Sequence, residues 1–157
     1  TLKGKNTLST GIPAILEQAK KLLTCEEVYF FEFDTTTNSF KSKFRHNEIS
    51  LDTRIRLMHS VTTSPYESVN IQDISNDRNF DPTLHTLFGK HIGSLLVAPV
   101  VTNSKTVDYI MACTNKRTEN LRSSTASGVM PFTLEDESNF IVISLLAAQF
   151  TDRSFLE

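Results

Sequence analysis

Apolar residues early in the chain recur at every third or fourth position: Ile12, Ile15, Leu16, Ala19, Leu22 and Leu23. That spacing lays them along one stripe and predicts an amphipathic helix over roughly 7–24. The pattern then changes. Residues 27–33 are aromatic-rich and read as a strand, stopped by Asp34 and the Thr/Asn/Ser cluster behind it. From Phe40 the positions alternate. Phe40, Ser42 and Phe44 fall on one face, with Lys41, Lys43 and Arg45 on the other, as in a half-exposed antiparallel strand. The two runs are expected to form a hairpin.

Ile55, Leu57, Met58 and Val61 fit a strand followed by a short helix within 47–63, and Val69–Ile71 reads as a short strand. Residues 76–82 are turn-rich. Leu84, Leu87 and Phe88 then suggest a short helix ending at Gly89. The nearly continuous apolar run 94–101 predicts a central strand covered on both faces, followed by a turn at 102–105 and an antiparallel partner over 107–114. Residues 117–131 are rich in Ser, Thr, Arg and Gly and are expected to form a mobile loop. Thr133 caps the last helix, with Asp136 three residues on as a capping-box variant, and the helix runs from Leu134 to about Phe150. This order of elements predicts an α+β domain, an antiparallel β-sheet with the N- and C-terminal helices packed on one face.

Composition narrows the function classes. A chain of 157 residues is most simply one domain, with a core expected over about 8–152. A net charge of −2 with scattered basic residues argues against a nucleic-acid partner. No apolar stretch approaches the ~20 residues of a membrane span. The polar start, lacking Met, is expected to belong to a segment excised from a longer multidomain protein. Cys25 and Cys113 make no disulfide framework, and Cys113 lies in an apolar run, so a buried thiol and a reducing, cytoplasmic setting are expected. There is no Gly-x-Ser-x-Gly elbow, phosphate-cradling glycine loop or His-Glu-x-x-His motif. His46, His59, His85 and His91 lack metal-ligand spacing. The chain alone is therefore read as a non-enzyme, with no catalytic residue, metal or cofactor.

Asn115-Lys116 closes an apolar strand, and Phe132 precedes Asp136-Glu137 at the start of the last helix. The arrangement resembles the Asn-Lys…Phe-x-x-x-Asp-Glu signature of GAF domains in cyclic-nucleotide phosphodiesterases. Asn70-Ile71-Gln72-Asp73 and Ser94-Leu95-Leu96-Val97-Ala98-Pro99-Val100 look like two further segments of that family. The likeness implies a regulatory GAF domain of a 3′,5′-cyclic-nucleotide phosphodiesterase, acting in dimerisation and allosteric signal relay. Its partners would be a second copy, through the terminal helices, and a catalytic domain of the same chain. Its candidate allosteric ligand would be cAMP or cGMP.

By the same resemblance the pocket positions are Phe44, Arg45, His85, Phe88, Ile92 and Ala112, and the structural positions are Asn115, Lys116, Phe132, Asp136 and Glu137. Phe44 either stacks on a base, with the phosphate near the short helix at 84–88, or is ordinary sheet core. Arg45 departs from the acidic residue usual there, and the family's Gly-Ile-x-Gly turn has no counterpart near 57–60. Lys116 and Asp136 are expected to pair. The rival readings are a GAF sensor of small molecules in another signalling protein, or a GAF-fold enzyme such as a sulfoxide reductase. The latter, like a bilin-binding domain, needs a well-placed cysteine.

Overall fold

The first helix ends where Thr24 takes a left-handed conformation, φ +51, and turns the chain directly into its first strand. A computed structural model describes residues 2–64, 66–74, 83–102, 106–117 and 129–151. In it α1 (Leu2–Leu23) buries Ile12, Ile15, Ala19 and Leu23 of the stripe set by the apolar spacing, while Leu22 of that stripe turns outward and is exposed. β1 (Cys25–Asp34) and β2 (Ser39–Ser42) form the hairpin, with Phe33 opposite Phe40 and Phe31 opposite Ser42. β3 (Ser50–Asp52), α2 (Arg56–Thr62), β4 (Val69–Ile71) and α3 (Thr83–Phe88) follow. Gly89 ends α3 with φ +67, a conformation glycine adopts without a steric penalty. β5 (Leu95–Val100), β6 (Tyr109–Arg117), β7 (Val129–Met130) and α4 (Leu134–Thr151) complete the order.

The strands build one antiparallel seven-stranded sheet in the order β3-β2-β1-β6-β5-β4, with β7 paired to β6. Strand alternation splits the interior into two cores. On one face Val28, Phe30, Leu96, Ala98, Met111 and Cys113 pack under α1 and α4, together with Phe132 and Phe140. On the other, Tyr29, Phe31, Phe40, Val97, Ile110 and Ala112 pack under α2 and α3, against Leu57, Met58, Leu84 and Phe88. The terminal helices therefore share one face, and the cavity described below opens on the other.

Two expectations are corrected. The alternation from Phe40 does not continue to Arg45, because β2 stops at Ser42 and Phe44 is left-handed at φ +65. The expected loop 117–131 starts later and ends earlier, since Arg117 belongs to β6 and pairs with Val129 of β7. Its middle, 118–128, lies outside the described residues, as do the turn expected at 76–82 and residues 103–105 of the turn expected at 102–105.

α1 and α4 approach closely at Gly11, where an added Cβ would sit 2.5 Å from Cε1 of Phe150. Gly11→Leu is therefore expected to destabilise the chain by about 1–3 kcal/mol, although leucine is the better helix former. Urea titration checks this, and a variant as stable as the parent would show that the helices do not meet there.

Candidate functional site

Between β1, the 44–49 segment and the end of α3 lies an open cavity of about 520 Å³. Tyr29, Phe44, Arg45, His46, Asn47, Glu48, Ile49, Leu87, Phe88 and Gly89 line it. Its floor is aromatic, with the buried Tyr29 and Phe88 rings meeting edge to face at 5.1 Å. The left-handed turn at Phe44 decides which side chain faces this floor. Continued alternation would have laid Phe44 over the Tyr29 face of the sheet. Instead its ring, 42% exposed, leans towards Phe30 of the opposite core at 6.1 Å. Arg45 takes the place over Tyr29, its guanidinium carbon 4.4 Å from the ring centroid.

Of the six pocket positions implied by resemblance, Phe44, Arg45 and Phe88 line the cavity. His85, Ile92 and Ala112 do not line it. Ile92 and Ala112 are fully buried in the core beneath it, and the His85 Nδ1 accepts the Ile92 N–H at 3.0 Å, tying α3 to the chain ahead of β5. His85 and His91 stack in parallel at 4.9 Å. The sequence reading missed Tyr29, although β1 alternation placed it on the same face as Phe31.

A polar network runs from the cavity rim. Lys90 lies with its ammonium 5.4 Å from the Tyr29 centroid and 2.6 Å from Glu26. Glu26 also pairs with Arg117 and accepts a 3.3 Å hydrogen bond from Asn115. Burial pushes the Glu26 carboxyl up, but Lys90, Arg117 and Asn115 outweigh it and hold the group below its ordinary value. A lowered folded value means the network stabilises the fold above the ordinary carboxylate range. That stabilisation is lost as pH falls through the folded value. Glu26→Gln is accordingly expected to flatten the loss of stability between about pH 5 and about pH 3. Equal losses in parent and variant, measured by urea titration at each pH, would exclude this role.

The signature residues meet at one clasp. Asn115 is left-handed at φ +56, a conformation Asn tolerates better than most residues. Its Oδ1 accepts the Gly93 N–H at 2.7 Å, and its Nδ2 donates to the His91 carbonyl at 2.9 Å. The Lys116 ammonium lies 2.8 Å from Asp136 Oδ2 and donates to the Leu23 carbonyl at 3.1 Å, joining the end of α1 to the start of α4. Asp136 accepts the Thr133 N–H at 2.8 Å, while Thr133 Oγ1 accepts the Asp136 N–H at 3.0 Å. This is the reciprocal cap read from the sequence. Asn70 of β4 donates to Glu137 at 3.1 Å and to the Phe132 carbonyl at 3.0 Å. The Phe132 ring itself is fully buried in the core under the terminal helices.

Both cysteines lie in that same core, across the sheet from the cavity. A hydrogen bond with Cys113 lowers the Cys25 thiol against its burial, and burial pushes the Cys113 thiol well up. Neither lines the cavity. Among the described residues no group of three or more His, Cys, Asp or Glu is placed to hold a metal ion. No helix there is long and apolar enough to cross a membrane.

No protein-family model matches the sequence, and no curated protein matches it. Solved structures do match the fold. The blue-light absorbing form of the Thermosynechococcus elongatus PixJ GAF domain aligns with a TM-score of 0.72 at 12% identity, covering 99% of this chain and 91% of that one. A GAF domain/HD domain protein from Geobacter sulfurreducens aligns at 0.64 and 16% identity, over 90% and 89% of the two chains. A type II free methionine-R-sulfoxide reductase from Thermoplasma acidophilum aligns at 0.62 and 16% identity, over 94% and 93%. The chain therefore has the GAF fold. At these identities the likeness establishes the fold alone.

Proposed function

We propose that this chain is a regulatory GAF domain of a 3′,5′-cyclic-nucleotide phosphodiesterase, which takes a small molecule in its cavity and passes the event to its terminal helices. The observation that carries the regulatory reading is the continuous polar chain from cavity to helices. It runs from Tyr29 through Lys90, Glu26 and Asn115 to the adjacent Lys116, which pairs with Asp136 of α4. The phosphodiesterase assignment rests on the signature Asn115, Lys116, Phe132, Asp136 and Glu137, whose residues gather at that helix end. Titration calorimetry with cAMP and cGMP tests it. Binding of either in the micromolar range supports the reading, and no heat with either nucleotide removes the phosphodiesterase-type ligand.

Arg45, standing where an acidic residue is usual in the resembling domains, favours a second reading: a sensor of another small molecule in a different signalling protein. The enzyme reading is the weaker one. The sulfoxide reductase shares the fold, but in this chain both thiols sit on the far side of the sheet from the cavity. The segment is accordingly read as non-catalytic, in a cytoplasmic parent with its catalytic domain elsewhere.

A homodimer through the terminal helices completes the proposal. α4 leaves Leu134, Val142, Leu145, Leu146 and Ile141 exposed, and α1 adds Leu22, an apolar strip of the kind that marks a partner surface. Sedimentation should show self-association that weakens in Val142→Glu. A strict monomer at high concentration would count against it.

A further inference from the structure

We propose that a groove between α4, the approach to β4 and the end of β5 is a second ligand site, one that takes a small organic cation: a primary ammonium carried on an apolar body. The groove measures about 400 Å³ and shares no lining residue with the Tyr29 cavity.

The groove exists because two strands part. β4 pairs with β5 from Ile71 opposite Leu95 to Val69 opposite Val97, and no further. The same register would set Ser68 against Ala98 and Glu67 against Pro99, but these four residues line the gap instead. Tyr66 is left-handed at φ +57, and the Glu67 N–H goes to the Ser60 carbonyl of α2 at 3.0 Å, which draws the chain away from β5. Pro99 has no N–H with which to rebuild the ladder. Ile141, Ser144 and Leu145 of α4 form the far wall. Val142 and Leu146, about 100° further round the helix, do not line it, so pairing of two copies through Val142 leaves the groove open.

The polar groups whose direction is fixed on these walls are acceptors. Just ahead of β5 the Ser94 carbonyl accepts the Asn115 N–H of β6 at 2.8 Å. Backbone groups alternate along a strand, so even-numbered residues here address β6 and odd-numbered ones address β4. The Pro99 carbonyl therefore points to the side that β4 has left. The Ser144 hydroxyl donates to the Ile141 carbonyl at 2.7 Å, which leaves only its lone pairs for a ligand. Glu67 is exposed, and among the described residues no cation pairs with its carboxylate. α4 itself carries no Lys or Arg.

A ligand must accordingly bring both the donors and the positive charge. A primary ammonium has three N–H donors and no acceptor, which suits a carboxylate, a carbonyl and a hydroxyl. An anion would meet the Glu67 carboxylate with no N–H in return. Ala98, Val101, Ile141 and Leu145 offer apolar surface to the rest of the molecule. One turn earlier on α4, Glu137 accepts the hydrogen bond of Asn70 from β4. A cation in the groove thus adds a second tie between the β4 edge and α4.

The test uses the whole 157-residue chain and two probes, phenethylamine, which is protonated at about pH 7, and the neutral phenethyl alcohol, followed by amide chemical shifts. The amine should perturb Ser68, Ala98 and Leu145, and the alcohol should bind at least ~10-fold more weakly. Glu67→Gln, at an exposed position where the fold should tolerate it, should bring the amine down to the level of the alcohol. Glu67→Asp should recover part of the loss. Leu145→Gln should weaken both probes, because it removes apolar wall that they share. Equal binding of amine and alcohol to the parent would overturn the proposal. So would unchanged amine affinity in folded Glu67→Gln, or an amine that shifts none of Ser68, Ala98 and Leu145.

Discussion

Asp136→Ala is expected to cost on the order of 3 kcal/mol or more, far above the ~0–1 kcal/mol of an exposed ion pair. Burial is the reason. The Asp136 side chain is 8% exposed and that of Lys116 20%, so neither charge is easily returned to water when its partner goes. The substitution also removes the acceptor of the Thr133 N–H, a cap worth about 1 kcal/mol. Asp136→Asn separates the two effects, keeping an acceptor for the cap while withdrawing the charge, and should fall between parent and alanine. Lys116→Ala should be similarly damaging, because it strands the more buried carboxylate. In a double-mutant cycle the two losses should be strongly non-additive. Additive, sub-kcal/mol effects in urea titration would show that the pair does not hold the helix.

Local patterns carried much of the fold. The apolar stripe of α1, the strand at Val69–Ile71, the end of α3 at Gly89 and the Thr133–Asp136 cap each depend on residues a few positions apart. What failed depends on partners far along the chain or on a single backbone angle. Alternation reports which way side chains point only while the chain stays extended, and Phe44 leaves that conformation without a glycine to announce it. One left-handed residue thereby exchanges Phe44 for Arg45 over the cavity floor. β7 is invisible to periodicity because a strand of two residues, Val129–Met130, has no period to detect.

The same contrast explains the candidate site. The signature residues were visible as a sequence pattern, and Asn70 as part of a second family-like segment, but that Asn70 reaches the start of α4 and that the Leu23 carbonyl completes the clasp carry no mark in the sequence. Tyr29 was legible as a strand residue and became a cavity floor only through the placement of α3 and Arg45.

Phe132→Ala should be the most damaging of the substitutions considered, at about 3–5 kcal/mol, the range for emptying a fully buried aromatic site. The ring has no exposed surface and packs in the core with Phe30, Met111 and Phe140 under the terminal helices. For a domain of this size such a loss lowers the melting temperature by roughly 10 °C. Phe132→Leu retains most of the apolar volume and should cost much less, about 1–2 kcal/mol. The substitution also separates two roles for the signature. Phe132 lies across the sheet from the cavity, so folded Phe132→Leu should bind any cavity ligand with parental affinity while α4 is less firmly seated. Should Phe132→Leu weaken ligand binding tenfold without destabilising the chain, the signature would be part of the ligand site. Should Phe132→Ala melt within a few degrees of the parent, the ring would not be the anchor of α4.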